Sequence, residues 1–174
     1  SQFDGVLLRY ASQLDCADAY VTGGAFVVDE RVNHWGGVVE GGILNLCDSG
    51  FDFKYSFIYW HKAGTNRGKV RDAIGSRFKN SQWTATYHLD PEVLCAPASI
   101  YGAILVNHAA KKIPGSNNKR NLGWYLGARV GEVCASGDWA IDFNWQSVQA
   151  QAIADPDVSG IGRGNAKDST ITAN

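Results

Sequence analysis

The sequence predicts an all-β chain, an antiparallel up-and-down barrel or a segment of about eight strands from a larger one. Three observations carry that prediction. Strict apolar–polar alternation recurs along the chain, which is the period of a strand and not of a helix. The alternating stretches are divided by clusters of Gly, Asp, Asn and Ser that suit tight turns. Glycine (20) and aromatics (6 Trp, 7 Tyr, 7 Phe) are abundant against only 4 Pro, a composition that fits closely approaching strands better than helices or disordered chain.

The clearest element is a hairpin from Asn121 to Ile153. Leu122, Trp124, Leu126, Ala128 and Val130 share one face, with Gly123, Tyr125, Gly127 and Arg129 behind. After a turn at Cys134–Gly137, Trp139, Ile141, Phe143 and Trp145 alternate with Asp138, Ala140, Asp142 and Asn144. Beyond Gln146 the apolar parity changes to Val148, Ala150 and Ala152, which predicts a bulge or, if the strand crosses a membrane, a departure from the bilayer.

Taken in order, 5–14 reads as a first strand and 20–30 as a second. The third, 35–46, is broken by Gly36, Gly37, Gly41 and Gly42. In the fourth, 51–60, Phe51, Phe53, Tyr55, Phe57 and Tyr59 lie opposite Asp52, Lys54 and Ser56; a helix would scatter those five rings. A basic loop follows from Lys62 to Asn80, with Arg67, Lys69, Arg71, Arg77 and Lys79 against one acid, Asp72. The fifth strand, 81 to about 94, sets Trp83, Ala85 and Tyr87 opposite Gln82, Thr84, Thr86 and His88. The sixth, 99–108, is apolar with no evident polar face, and Lys111–Arg120 is a second polar loop. Ser169–Ala173 reads as the start of one more strand.

The whole, 1–174, is long enough for one domain and too short for two comfortable ones. A net charge of −1 gives no general attraction to nucleic acid, and no nucleic-acid partner is expected. No apolar run approaches the roughly 18 residues of a membrane helix. A mean hydropathy of −0.20 does not weigh against a membrane barrel, where only alternate residues touch lipid. The first residues, Ser1–Gly5, carry no leader peptide, so either one has been removed or the sequence is a piece of a longer one.

Connector lengths separate the two architectures that share this alternation, a soluble sandwich and a transmembrane barrel. Links after the first, third, fifth and seventh strands are short, and those after the fourth, sixth and eighth are long; the link after the second is intermediate. Outer-membrane barrels have short turns at one end and long loops at the other. The pattern therefore favours a transmembrane β-barrel, or a segment of about eight strands from a larger one. The four cysteines, Cys16, Cys47, Cys95 and Cys134, all fall at or beside the short turns. In a meander those turns lie together, which would set Cys16 near Cys47 and Cys95 near Cys134. Four free thiols is the competing reading.

From Pro97 to Asn165 the chain resembles the porins of Gram-negative outer membranes. The run Ile100-Tyr101-Gly102 to Asn107 looks like the family's strand ending in asparagine, and Asn121-Leu122-Gly123-Trp124 to Gly127 with Gly131 like its glycine-spaced strand. Asp138-Trp139 to Val148, followed by Asp155-Pro156-Asp157 and Gly162-Arg163-Gly164-Asn165, resembles its tryptophan strand and acidic loop. Tyr20–Glu30 is similar more loosely. Family members are longer and tend to end on an aromatic strand, unlike Thr172-Ala173-Asn174. The resemblance implies a porin, or part of one, in the bacterial outer membrane, passing small hydrophilic solutes and ions, with lipid and lipopolysaccharide as surroundings and homo-oligomers as a common assembly.

No G-x-S-x-G, H-E-x-x-H or P-loop is present, so no enzyme, cofactor or metal is expected. Gly160, Gly162 and Gly164 lack dinucleotide-binding spacing, and Asp155, Asp157 and Asp168 read as solvated acids. By parity, the lumen-facing residues would be Arg129, Asp142, Asn144, Asp52, Lys54, Ser56, Gln82, Thr84 and Thr86, with Arg129 pairing to Asp142 across neighbouring strands. Two other functions stay open. One is a structural or adhesive barrel acting through its loops. The other is a secreted Trp-rich sandwich that binds carbohydrate on Trp60, Trp83 or Trp145.

Overall fold

Nine strands form one antiparallel sheet in strict sequence order in a computed structural model of the chain. The structure describes residues 4–29, 34–61, 78–90, 92, 96–112, 118–132, 138–149, 151–153 and 167–173. The strands are β1 (Asp4–Leu14), β2 (Ala17–Asp29), β3 (His34–Leu44), β4 (Phe51–Trp60), β5 (Phe78–Leu89), β6 (Ala98–Asn107), β7 (Leu122–Gly131), β8 (Ala140–Val148) and β9 (Lys167–Ala173). Each pairs with its sequence neighbour. No pairing joins β9 to β1 among the described residues, so the sheet is open. Among the described residues it is a single layer, with no second sheet against it as a sandwich would require.

The alternation anticipated in β1, β4, β5, β7 and β8 is present, and the register aligns it from strand to strand. Asp52, Lys54 and Ser56 stand opposite Thr86, Thr84 and Gln82, while Phe51, Phe53 and Tyr55 stand opposite Tyr87, Ala85 and Trp83. One face of the sheet is thus aromatic and aliphatic, and the other polar. β6, whose orientation the sequence left undecided, places Tyr101, Ala103, Leu105 and Asn107 on the polar side and Ile100 and Ile104 on the apolar side.

Three expectations are corrected. Lys79 and Asn80 belong to β5, which starts at Phe78; the basic loop is therefore shorter than expected, and Lys79 lies on the aromatic face with its Nζ 5.6 Å from the Tyr59 ring. β3 is continuous through its glycines. The parity change after Gln146 is not a bulge, since Ser147 and Val148 remain paired with Trp124 and Gly123. Val148 instead turns an apolar side chain toward the polar face, where it packs with Ala152, Ile153 and Leu105.

Burial is reversed from that of a water-soluble domain. The large apolar side chains are the exposed ones: Trp83 is 47%, Phe53 46% and Trp145 49% accessible. Buried apolar groups are confined to small clusters such as Trp60 with Phe78, supported by Phe26 and Ile58.

Cys16 and Cys47 form a disulfide between the β1–β2 and β3–β4 turns, as one of the two sequence-level pairings proposed. Closing a separation of 31 residues contributes about 3–4 kcal/mol in the chain-entropy model. The β3–β4 turn has Asn45, Cys47 and Asp48 in the left-handed region and Gly50 at φ +76. Side chains hold it: the Asn45 N–H donates to Asp52 Oδ1 at 2.8 Å, and Asn45 Nδ2 donates to Asp48 Oδ1 at 3.0 Å. Cys95 and Cys134 lie outside the described residues.

Candidate functional site

The polar face is where side chains of different strands converge. Its organising device is an aromatic ring laid over a glycine on the next strand. Phe26 stands opposite Gly36, Tyr20 opposite Gly42, and Tyr101 opposite Gly127. In all three, a Cβ built on the glycine would collide with the facing ring. A missing side chain on one strand lets the neighbour's ring lie along the wall instead of projecting from it. The glycines that appeared to break β3 are, at Gly36 and Gly42, seats for rings.

Two of those rings end in hydroxyls that reach carboxylates. Tyr20 donates to Glu40 Oε1 at 2.7 Å, and the Arg9 guanidinium covers the same ring at 4.1 Å from its centroid. Tyr101 extends across β7 and donates to Asp142 Oδ1 on β8. Gln82 on β5 likewise reaches over β6, its Nε2 3.5 Å from the Tyr125 hydroxyl on β7 and 3.2 Å from Thr84 Oγ1. Contacts spanning two strands occur on this face. Ring pairs on the other face, Tyr55–Trp83 and Phe51–Tyr87, join adjacent strands only. That difference is what a sheet curved with its polar side concave produces.

The lumen-facing residues named from parity all lie on this face, with altered roles for some. Lys54, Gln82 and Thr84 sit near its middle, beside the Tyr20–Gly42 seat. Asn144 stands opposite Gly127 under the Tyr101 ring. Arg129 is opposite Asp142, as the register required, but the two form no ion pair: the carboxylate takes the Tyr101 hydroxyl, and Arg129 is exposed. Asp52 and Thr86 lie toward the short-turn end, where Asp52 braces the β3–β4 turn and its Oδ2 meets His88 Nε2 at 3.1 Å. Among the described residues neither Lys54 nor Arg129 has a hydrogen-bond or ion-pair partner. Arg67, Lys69, Arg71 and Arg77, with Asp155 and Asp157, lie outside the described residues. No group of three or more metal-ligating side chains occurs among the described residues.

Parity alone missed Arg9, Tyr20, Glu40, Tyr101 and Tyr125. The signal that could have found the tyrosines is a tyrosine one strand away from a glycine at matching register, which needs the pairing before it can be read. Trp60 was named as an exposed sugar platform and is instead 5% accessible, packed edge-on against Phe26 with centroids 5.1 Å apart.

At the long-connection end the chain after β8 folds onto the polar face. The Gln149 and Gln151 N–H groups continue the pairing by donating to the Leu122 and Arg120 carbonyls. Asn107 Nδ2 then donates to the Gln151 carbonyl at 2.7 Å, and Asn80 Nδ2, three strands from β8, donates to the Ala152 carbonyl at 2.9 Å. Ala152 rests over Gly123. This end of the face is covered by apolar side chains together with the buried amides of Asn80, Asn107 and Gln151, while its middle carries Lys54, Gln82 and Thr84.

The aromatic face changes character at the same level. Trp35 stacks on His61 with centroids 5.1 Å apart and meets Tyr59 at 5.6 Å. Ser81 Oγ lies 3.0 Å from the Tyr55 hydroxyl and 2.8 Å from His108 Nε2. Toward the short turns the same face carries Phe51, Phe53, Ile100, Ile104, Leu126 and Phe143 with no charge among them. No family model, curated protein or solved structure matches the chain.

Proposed function

We propose that the sheet is wall of a transmembrane β-barrel in the bacterial outer membrane, with its aromatic face toward lipid and its polar face lining a water-filled interior through which small hydrophilic solutes and ions diffuse. The observation that carries this reading is the reversed burial. Large apolar side chains are exposed over much of one face, while most polar side chains opposite are half-buried and several are hydrogen-bonded across strands, as Tyr20 to Glu40 and Tyr101 to Asp142. In water such an apolar face far exceeds the patches that monomeric soluble proteins leave open. In lipid it costs nothing to expose.

Three further features agree. β1–β8 contain 9 to 13 residues, against the roughly 9–11 that cross a bilayer at a tilt. Trp35, Tyr59, His61 and Lys79 at the long-connection end match the aromatic girdle at a membrane–water interface, where amphipathic rings and cations meet headgroups. The Cys16–Cys47 bridge suits an oxidising compartment. Among the described residues of the polar face, Lys54 and Arg129 are cations without a hydrogen-bond or ion-pair partner, placed to meet a passing anion, whereas Tyr20 and Tyr101 hold Glu40 and Asp142 against the wall.

The test is reconstitution in lipid vesicles loaded with a small neutral sugar, alongside planar-bilayer recording. The reading predicts sugar efflux and discrete conductance steps, and no efflux of large dextrans. Protein that folds in the bilayer with neither efflux nor conductance would leave a non-channel barrel as the remaining function.

A further inference from the structure

The three rings seated over glycines differ in what covers the side turned away from the wall. Phe26 is packed against Trp60 and Phe78 at the long-connection end. Tyr20 lies beneath the Arg9 guanidinium and is 9% accessible. Tyr101 rests over Gly127, and among the described residues no cation stands over its ring. It keeps part of its surface open. The surroundings of Tyr101 form a corner. The Tyr125 ring, also partly open, stands edge-on to it with centroids 6.0 Å apart and planes at 64°. On the far side β8 presents Asp142, Asn144 and Gln146 at successive positions of the same face. Asn144 is opposite Gly127 and Gln146 opposite Tyr125, so the two amides flank the two rings.

That combination selects a class of ligand. The open ring face is an apolar plate with polar groups along its border. A wholly apolar molecule would cover the plate but strip water from the amides and the carboxylate without replacing it. An ion fits no better. Asp142 takes the Tyr101 hydroxyl and stands opposite Arg129. A cation approaching the carboxylate therefore meets the guanidinium, and an anion approaching Arg129 meets the carboxylate. A neutral, polyhydroxylated ring satisfies both demands. Its C–H groups lie on the tyrosine, while adjacent hydroxyls accept from the NH₂ and donate to the carbonyl of an amide side chain, which carries both functions in one plane.

We infer that this corner is a binding subsite for a hexopyranose sugar. Tyr101 is the platform for one face of the sugar ring, Tyr125 the wall beside it, and Asp142, Asn144 and Gln146 the groups that take its hydroxyls. The subsite rests on the reading of the polar face as a water-filled interior, and it narrows the small hydrophilic solutes of that reading to a chemical class. Tyr20 marks the contrast. It has the same seat over a glycine and the same bond to a carboxylate, but Arg9 occupies the place a sugar would take.

The test titrates the whole chain, folded in lipid vesicles, with maltotriose. Saturation-transfer NMR irradiates the aromatic protons of the protein, which leaves the lipid chains unexcited, and reads the sugar's ring protons. Transfer is expected, stronger on one face of the sugar than on the other. Tyr101→Ala removes the platform and should weaken binding by about fivefold or more, whereas Tyr101→Phe keeps the ring and should stay within about twofold. Asn144→Ala should weaken it by about threefold to tenfold, the loss of one hydrogen bond. Tyr20→Phe, at the ring beneath Arg9, should leave it unchanged. Three results overturn the inference: no transfer from the folded chain, an affinity that survives both Tyr101→Ala and Asn144→Ala, or a loss in Tyr20→Phe as large as that in Tyr101→Ala. If Tyr101→Ala does not fold, Asn144→Ala decides alone, and unchanged affinity there overturns the inference. Sugar efflux from the same vesicles judges the channel separately. Efflux without transfer removes the subsite alone; transfer without efflux removes the channel and leaves the subsite.

Discussion

The two faces of this sheet are made from the same strands and follow opposite rules. On the aromatic face, side chains meet only their immediate neighbours and stay open to the surroundings: Tyr55 on Trp83, Phe51 on Tyr87. On the polar face, side chains reach two strands away, and glycines are spent to let them lie flat: Tyr101 crosses Gly127 to Asp142, and Gln82 reaches Tyr125. Hydrogen bonds organise the middle of the side that packs, and small apolar clusters such as Trp60 with Phe78 and Val148 with Ala152 sit at its long-connection end. Alternation by itself cannot say which face is wet. The way each face uses its neighbours supports the proposal that it is the polar one.

The largest effect that separates the faces comes from a charge. Trp83→Arg, in the middle of the aromatic band, should cost about 2–4 kcal/mol of unfolding free energy in lipid vesicles, the range for an arginine facing the bilayer midplane. Thr86→Arg, on the polar face opposite Asp52, should change stability by less than about 1 kcal/mol. Urea titration followed by tryptophan emission measures both; equal costs would erase the distinction.

Neighbouring glycines give the next contrast. Gly42→Ala drives a methyl into the Tyr20 ring and should destabilise by about 1–3 kcal/mol. Gly41, one residue away on the other face, would place its Cβ 3.6 Å from the Tyr20 carbonyl, an ordinary contact. Gly41→Ala should therefore be neutral or stabilise by up to about 1 kcal/mol through reduced unfolded-state entropy. Gly127→Ala should resemble Gly42→Ala, and Tyr101→Ala should relieve most of its cost.

The smallest effect is Tyr101→Phe. It keeps the ring over Gly127 and removes the hydroxyl from Asp142, which should cost about 1 kcal/mol. The freed carboxylate then stands opposite Arg129, and ion selectivity measured as a reversal potential should shift if that residue turns toward it.

Much of this was legible in the chain itself. The five alternating aromatics of β4, and the two runs of β7 and β8, were enough to identify strands and the side chains that share each face, because a period of two scatters on a helix. Counting short turns set Cys16 near Cys47 and left open whether they bond; the structure joins them. What failed was whatever depends on register. Arg129 and Asp142 were placed opposite each other correctly, yet Asp142 is claimed by a tyrosine from a strand farther away. The glycines of β3 looked like interruptions because their purpose lies in the rings of β2. Val148 looked like slippage because its new partner, Ala152, sits in a segment that folds back. Trp60 was read as an exposed ring of a sandwich, whereas its neighbours on this face are Phe26 and Phe78, which the pairing of β2, β3, β4 and β5 brings together.

The central claim, that the aromatic face meets lipid and the polar face meets water, is tested most directly by a spin label walked along β5 from Gln82 to Tyr87 in vesicles. Accessibility to oxygen, which concentrates in lipid, is measured against accessibility to a water-soluble nickel chelate. Labels at 83, 85 and 87 should favour oxygen and those at 82, 84 and 86 the nickel complex, with a period of two. Nickel accessibility at every position, or the opposite phase, would contradict the account.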